Sequence, residues 1–395
     1  MTADELRAPP PAPAARPSPE EGETAPGRPQ SLARRAREAG MSPNHWYPAA
    51  FSHELRPGKM VATRFWGDDV VVYRADDGRV HALEDRCAHR QIKLSHGSVE
   101  GCHLVCLYHG WTYDPEGRLV GTKHSDFGRK LPVLRVRSYP VRERYGIVWF
   151  FPGDPALAEI TPLVEIPNAE GPDRWASLRF VYTWRAHHSM VIDNLCNLTH
   201  LWVHGSWVPY GDTILADSSY DGHRITLDWE HDLRRDWMHP FTAPVFRRAP
   251  GSNRSDTHMV YDYPYQSALS NHRVRSTNFM LPLDATHTRV FTVQFWEPAS
   301  IPFTGRRLPA SWFQPAMKVV QPITETIFKQ DGFTVEEEQK SWERYSDRPI
   351  PEPNPLVKAF NDLSVRKWEA YRAQQARGGT LTADERAEQR RIKVI

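Results

Sequence analysis

The sequence predicts an α+β chain in which a small all-β domain precedes a mixed domain built on an antiparallel sheet. Three observations predict it. From Asn44 to about residue 155, short β-branched runs alternate with Gly, Pro and Asp turn signals. Beyond that point strand-like runs mix with helical ones, and RVFTVQFW (289–296) alternates apolar and polar residues as a strand with one buried face does. A long helical segment, 356–377, follows and stops at Gly378-Gly379.

In chain order, residues 1–40 open with a Pro- and Ala-rich stretch too poor in apolar side chains to offset its ordering entropy. It is expected to be disordered, with a short helix in SLARRAREAG (31–40) leading into the first domain. The all-β domain is expected over 41–155. VVVYRA (70–75) and RVHALED (79–85) flank Asp77-Gly78, Asp-Pro-Glu-Gly marks a turn between Tyr113 and Leu119, and two strands meet around Tyr145-Gly146. The second domain is expected over 156–377, with a helix at 186–204 and strands at 223–231, 258–264, 271–281 and 288–296. The charged segment 378–395 reads as a loose tail.

With 395 residues, 40% apolar and 25% charged, the chain can bury sizeable cores. A net charge of +2 argues against a dedicated nucleic-acid or membrane-surface binder. No apolar run is long enough to span a membrane, and no signal peptide is evident. The four cysteines, Cys87, Cys102, Cys106 and Cys196, are too few for a disulfide scaffold, and three are interleaved with histidines. That suits a metal in a reducing, cytoplasmic setting.

Cys87-x-His89, sixteen residues, then Cys106-x-x-His109 gives two Cys and two His on two short loops. This is the ligand set of a [2Fe–2S] centre with thiolates on one iron and imidazoles on the other. A structural zinc site is the alternative, although zinc fingers usually place both Cys before both His. Cys102, His96 and His103 fall outside the pattern and read as ordinary loop residues.

In HHSMVIDNLCNLTHLWVHGSW (187–207), a continuous helix would set Asp193, Asn197, His200 and His204 on one polar stripe. Ile192, Leu195, Leu198 and Trp202 would then turn to a core. Two His at i and i+4 can grip one metal; a solvated polar face is the alternative. A carboxylate would complete a two-His, one-carboxylate iron site. Asp331, Glu336, Glu337 and Glu338 are the candidates, and spacing does not choose among them. His187 and His188 read as pocket or core residues, and His231 as structural or exposed.

NHWYPAAFSHELRPGK, GDDVVVYRADDGRVHALEDRCAHR and CLYHGWTYDPEGRL resemble the N-terminal domain of Rieske non-haem iron oxygenase α-subunits. DNLCNLTH and IFKQDGFTVEEEQKSW resemble the iron-binding segments of the vanillate-demethylase-like group. The resemblance implies a helix-grip (START-like) catalytic domain. It also implies a [2Fe–2S] cluster on Cys87, His89, Cys106 and His109, and Fe(II) on His200, His204 and Asp331, with O₂ as co-substrate. The implied partners are a ferredoxin or flavin reductase as electron donor, an apolar small-molecule substrate and a head-to-tail homotrimer. Arg86, Arg90 and Lys93 flank the cluster loops, facing an acidic donor or merely solvent. The family usually has an aspartate where this chain has Asn197, bridging the cluster of one subunit to the iron of its neighbour. Asn197 and, as a partial substitute, Asp193 are therefore the candidate catalytic residues on that path. The histidines also stand one residue closer than is common. An asparagine at this place resembles the oxidative cyclases of bacterial prodiginine biosynthesis, which implies C–C cyclisation of an aromatic or heterocyclic substrate. Aromatic O- or N-demethylation, ring hydroxylation and N-oxygenation are the alternatives within the family; an electron-transfer Rieske protein is the alternative outside enzymes. Trp184, Met190, Trp202, Trp207, Met280 and Phe291 are candidates for pocket or core.

Overall fold

A computed structural model describes residues 30–124, 130–235, 239, 245–249, 251–299 and 307–395. The stretch 1–29, expected to be disordered, lies outside the described residues. The helix expected at 31–40 is α1, Leu32–Glu38, capped by the Ser31 hydroxyl, which accepts from the Arg34 N–H.

The first domain is all β. β1 (Tyr47–Phe51), β11 (Ile147–Phe150) and β10 (Val141–Arg144) form one antiparallel sheet; β2 (Met60–Phe65), β3 (Asp68–Arg74), β4 (Val80–Glu84) and β9 (Ser138–Tyr139) form a second. β5 (Ser98–Glu100), β6 (His103–Val105), β7 (Thr112–Tyr113) and β8 (Leu119–Gly121) form a third, which carries the Cys/His loops. The Asp77-Gly78 turn joins β3 to β4 as expected, with Gly78 at φ +86°. Tyr145 and Gly146 both take positive φ between β10 and β11, which matches the right-handed twist of the strands.

The second domain is a seven-stranded antiparallel sheet in the order β12-β18-β17-β16-β15-β14-β13. The strands are β12 (Ala176–Trp184), β13 (Tyr210–Tyr220), β14 (Arg224–Leu233), β15 (Arg254–Asp262), β16 (Tyr265–Ser270), β17 (Val274–Pro282) and β18 (Thr288–Trp296). The four expected strands correspond to β14, β15, β17 and β18. β12, β13 and β16 were not expected: β12 and β13 are the two edges of the sheet, β13 with largely exposed side chains, and YQSALS of β16 is short and polar. After α2 (Pro155–Ala158), α3 (His188–Cys196) and α4 (Ala310–Phe313) comes α5, Met317–Tyr345, which crosses the inner face of the sheet. Phe328 packs there against Tyr182, ring centroids 5.3 Å apart. Gly332 lets Trp184 close on the helix: a Cβ there would lie 2.5 Å from the indole nitrogen. The two domains share one core, with Phe51 against Phe291 at 5.5 Å and Trp149 against Phe279 at 4.9 Å.

Two expectations need correction. The helix expected over 186–204 is not continuous. α3 ends at Cys196, Asn197 takes an extended conformation (φ −119°, ψ 107°), and a 3₁₀ segment runs Leu198–Trp207. Asn197 favours the break because its side chain caps the next turn, accepting from the Thr199 N–H at 3.1 Å. The tail 378–395 is not loose. After α6 (Pro355–Ala376), it forms α7, Ala383–Arg390, started by a Thr382/Glu385 capping box. Gln389 donates to Asn44 O and Thr161 Oγ1, Arg391 pairs with the fully buried Asp262, and Ile395 is buried. No described helix is long and apolar enough to cross a membrane.

Candidate metal centres

Two tight loops present the first ligand set. In one, the Cys87 N–H donates to Ile92 O (2.8 Å) and the Gln91 N–H to Cys87 O (3.0 Å). In the other, the Cys106 N–H donates to Trp111 O (2.8 Å) and the Gly110 N–H to Cys106 O (3.0 Å). Gly110 is needed there: φ is +65°, and a Cβ would meet Lys123 at 2.6 Å. Both thiols are free and buried. Burial raises the pKa of Cys106, and the adjoining Cys87 thiol adds to the shift. His89 and His109 lie beside each other, centroids 4.7 Å apart, towards the surface, and His89 stacks on Trp111 at 4.6 Å and 8°. Buried thiols on one side and outward imidazoles on the other fit a two-iron cluster with unlike irons. Arg86 and Lys93 are taken up by Glu84 and Asp69. Cys102 is half-buried beside its neighbour His103, not part of the pair.

The sequence reading missed Tyr113. Its hydroxyl accepts from the Ala88 N–H at 3.0 Å and stands 3.3 Å from Cys87 Sγ, towards which it can donate. Hydrogen bonds to sulfur raise a cluster's potential. Tyr113→Phe should therefore give a more negative midpoint potential with an unchanged iron count; an equal or higher potential in a redox titration would refute this.

The second set comes together from two distant elements. One ligand atom each from His200, His204 and Asp331 lies within 4.8 Å of the others. His200 Nε2 and His204 Nε2 stand 3.2 Å and 3.4 Å from the same Asp331 Oδ1. The opposite nitrogens are both engaged. His200 Nδ1 donates to Asn197 O (2.6 Å), and His204 Nδ1 donates to the side chain of Gln330 (3.0 Å). Both bonds leave the Nε2 lone pair free for a metal. Burial disfavours charge on Asp331 and His204, but their contact outweighs it: the carboxyl is held low and the imidazole raised. Gln330 was not singled out in the sequence; only its position beside Asp331 marks it. Among the four candidate carboxylates, Asp331 alone joins the cluster. Glu336 caps Arg185 N, Glu338 pairs with Arg37, and Glu337 with Lys340.

Asn197 serves His200 through its backbone carbonyl, while its side chain holds Thr199. Asp193 lies apart from the cluster in an ion pair with Arg37 of α1 (3.0 Å). Arg37 also binds Glu338 of α5 (2.7 Å) and the Ser189 hydroxyl (2.6 Å), tying α1, α3 and α5 together. Burial pushes Asp193 up to about 7, with Arg37 opposing. His187 and His188 are core residues whose pKa values burial lowers; His188 Nε2 donates to Ala39 O at 2.7 Å.

A cavity of about 500 Å³ lies between the inner face of the sheet and α5. Two of its wall residues adjoin the candidate ligands in the chain: Trp207 follows His204 by three residues, and Ile327 stands one helical turn before Asp331. Its walls are mainly apolar, and no charged side chain is among the described residues that line it. Of the six pocket-or-core candidates, Trp207 lines it, whereas Trp184, Met190, Met280 and Phe291 are core. Trp202, expected to face a core, is 80% exposed because the helix breaks before it.

The fold and both centres define a Rieske non-haem iron oxygenase, and the comparisons agree: the chain belongs to that family, as an α-subunit with a [2Fe–2S] cluster and a mononuclear iron. Residues 45–140 match the Rieske [2Fe-2S] domain and 184–375 the vanillate O-demethylase oxygenase C-terminal domain. The chain is 36% identical over 354 residues to 4beta-methylsterol monooxygenase of Methylococcus capsulatus, covering 89% of this chain and 95% of that one. It is 32% identical over 206 residues to the vanillate O-demethylase oxygenase subunit of a Pseudomonas species, covering 48% and 56% of the two chains. The fold matches crystalline dicamba monooxygenase bound to dicamba with a TM-score of 0.67 at 22% identity, over 86% of this chain and all of that one. An electron-transfer protein without an oxygenase domain, and a zinc site, are thereby set aside.

Proposed function

We propose that this oxygenase hydroxylates a neutral, largely apolar polycyclic molecule of the sterol type at a methyl or ring carbon. The observation that carries the proposal is the 500 Å³ cavity beside His200, His204 and Asp331, with no charge on its described walls. A carboxylate or sulfonate substrate would lie there without a countercharge, at a cost of several kcal/mol. The similarity to a sterol monooxygenase along nearly the whole chain supports the same class.

In this reading Cys87, His89, Cys106 and His109 hold the cluster. His200, His204 and Asp331 would hold the iron, which when bound would supply O₂ activation. Asn197 O and Gln330 fix the imidazole tautomers, and the cavity walls hold the substrate and exclude water. One oxygen atom enters the C–H bond and the other leaves as water, with two electrons from a ferredoxin or flavin reductase and two protons from solvent. A head-to-tail trimer is supported by exposed apolar side chains at both ends of the electron path: Leu107 and Tyr108 beside His109, and Trp202 and Phe333 beside the iron ligands. The free thiols suit a cytoplasmic setting.

Incubation with a ferredoxin, its reductase and a methylated sterol is expected to give product with one added oxygen atom. Loss of two hydrogens without oxygen would instead support oxidative cyclisation, the expectation attached to Asn197. Turnover confined to aromatic acids would overturn the substrate class.

A further inference from the structure

The polar wall residues of the cavity fall in two groups: Ser276, Gln294 and Thr324, of which Thr324 donates to Gln294, and a second group around Ser270 and Tyr210. Trp229, Thr257, Ser270, Val274 and Trp296 are successive cross-strand partners from β14 to β18 and form a single row on the inner face of the sheet. Ser270, Val274 and Trp296 line the cavity. Behind Ser270 runs a chain of hydrogen bonds. Ser270 Oγ and Thr257 Oγ1 are 3.0 Å apart, Thr257 Oγ1 and His231 Nε2 3.0 Å, and His231 Nδ1 and Thr213 Oγ1 2.9 Å. Tyr210, another wall residue, stacks on His231 at 4.1 Å and turns its hydroxyl towards Ser270 and Thr257. Burial holds His231 down to about 4, so the chain is uncharged at neutral pH. Nearby, the Trp296 indole N–H is buried with no hydrogen-bond partner. Buried donors seldom stay unpaired unless a ligand or water completes them.

This row lies at the end of the cavity away from the iron ligands. Trp296 and Val320 of α5 both line the cavity and pack on the cluster of Ala176, Leu178, Phe180 and Met317, and Val320 precedes Asp331 by eleven residues, roughly 16 Å of helix. We propose that Ser270, Thr257 and Tyr210, with the Trp296 N–H as a second donor, form a subsite for one neutral oxygen function of the substrate, a hydroxyl or ketone. The inference rests on the neutral polycyclic reading above and deepens it. The subsite holds the oxygenated end of the molecule, and the carbon to be oxidised lies at the other end, by His200, His204 and Asp331. An apolar wall alone would let a polycycle slide or reverse. One hydrogen-bonding end prevents that and rejects analogues lacking the oxygen, because their binding leaves buried polar groups unpaired.

The test is calorimetric titration of the full-length protein with a rigid steroid monoalcohol and with the matching steroid hydrocarbon. The alcohol is expected to bind roughly tenfold more tightly. Combining Ser270→Ala with Tyr210→Phe should cut that preference to less than about threefold, and Trp296→Phe should weaken a matching steroid ketone. If the double variant melts early, Ser270→Cys, which keeps the volume, replaces it. Equal binding of the two probes, or a preference that survives the substitutions, would overturn the subsite and leave the substrate class standing. Binding of neither probe would overturn both.

Discussion

Replacing His200 with alanine is expected to keep the visible absorption of the cluster, lower the iron content from about three to about two per chain, and abolish turnover. The expectation follows from the separation of the two centres. The two candidate cluster loops lie between β4 and β5 and between β6 and β7 and draw nothing from the 3₁₀ segment, so Cys87, His89, Cys106 and His109 should be undisturbed. At the second centre, the loss of one imidazole leaves Asp331 and His204 as a two-ligand site. Disturbing an outer partner alone typically costs 10–100-fold in metal affinity, and losing a ligand should exceed about a hundredfold. Three irons and turnover within tenfold of the parent would show that the triad does not hold the iron.

Removing Arg37 should destabilise the protein, by up to about 3–5 kcal/mol at alkaline pH where Asp193 would be ionised and buried without its cation, and by less where it is protonated. The melting temperature should drop by the order of 10 °C. The pH dependence distinguishes this from lost packing. Burial already lifts Asp193 to about 7, with Glu338 adding to the rise, and Arg37 is the group that opposes it. In Arg37→Ala the carboxyl should rise further. A carboxyl raised in the folded state contributes its stability below its unfolded value of about 4 and loses it as pH climbs through the folded value. The gap to the parent should therefore be widest above pH 7 and narrow towards pH 5. Adding Asp193→Asn should recover part of the loss. A gap that stays the same from pH 5 to pH 8, or no recovery, would show that the pair is not what fastens α1 to α3 and α5.

The same ion pair bears on the sequence-based expectation for Asp193. From the sequence it was a candidate for the missing bridging carboxylate, because a continuous helix would set it on the stripe with His200. The chain breaks at Asn197 instead, and Asp193 turns to Arg37. A periodicity argument cannot foresee that break, since the side chain that makes it is one capping residue within an otherwise helical pattern. The long α5 was likewise unread as a helix, its regularity obscured by Pro322 and Gly332, yet Gly332 is what admits Trp184.

Sequence alone pointed to the two candidate cluster loops, the pair of imidazoles and an all-β segment ahead of a mixed one. Those features are local: ligands two or three residues apart sit on one turn wherever that turn is placed. Residue spacing left four carboxylates open and the family resemblance pointed to Asp331; only the tertiary structure showed Asp331 beside His200 and His204, which groups orient them, and where the cavity and its polar row lie. The His200–Asp331 contact spans 131 residues, and the row is assembled from five strands. Such contacts depend on how the sheet and α5 pack, and no short-range pattern of residues encodes that.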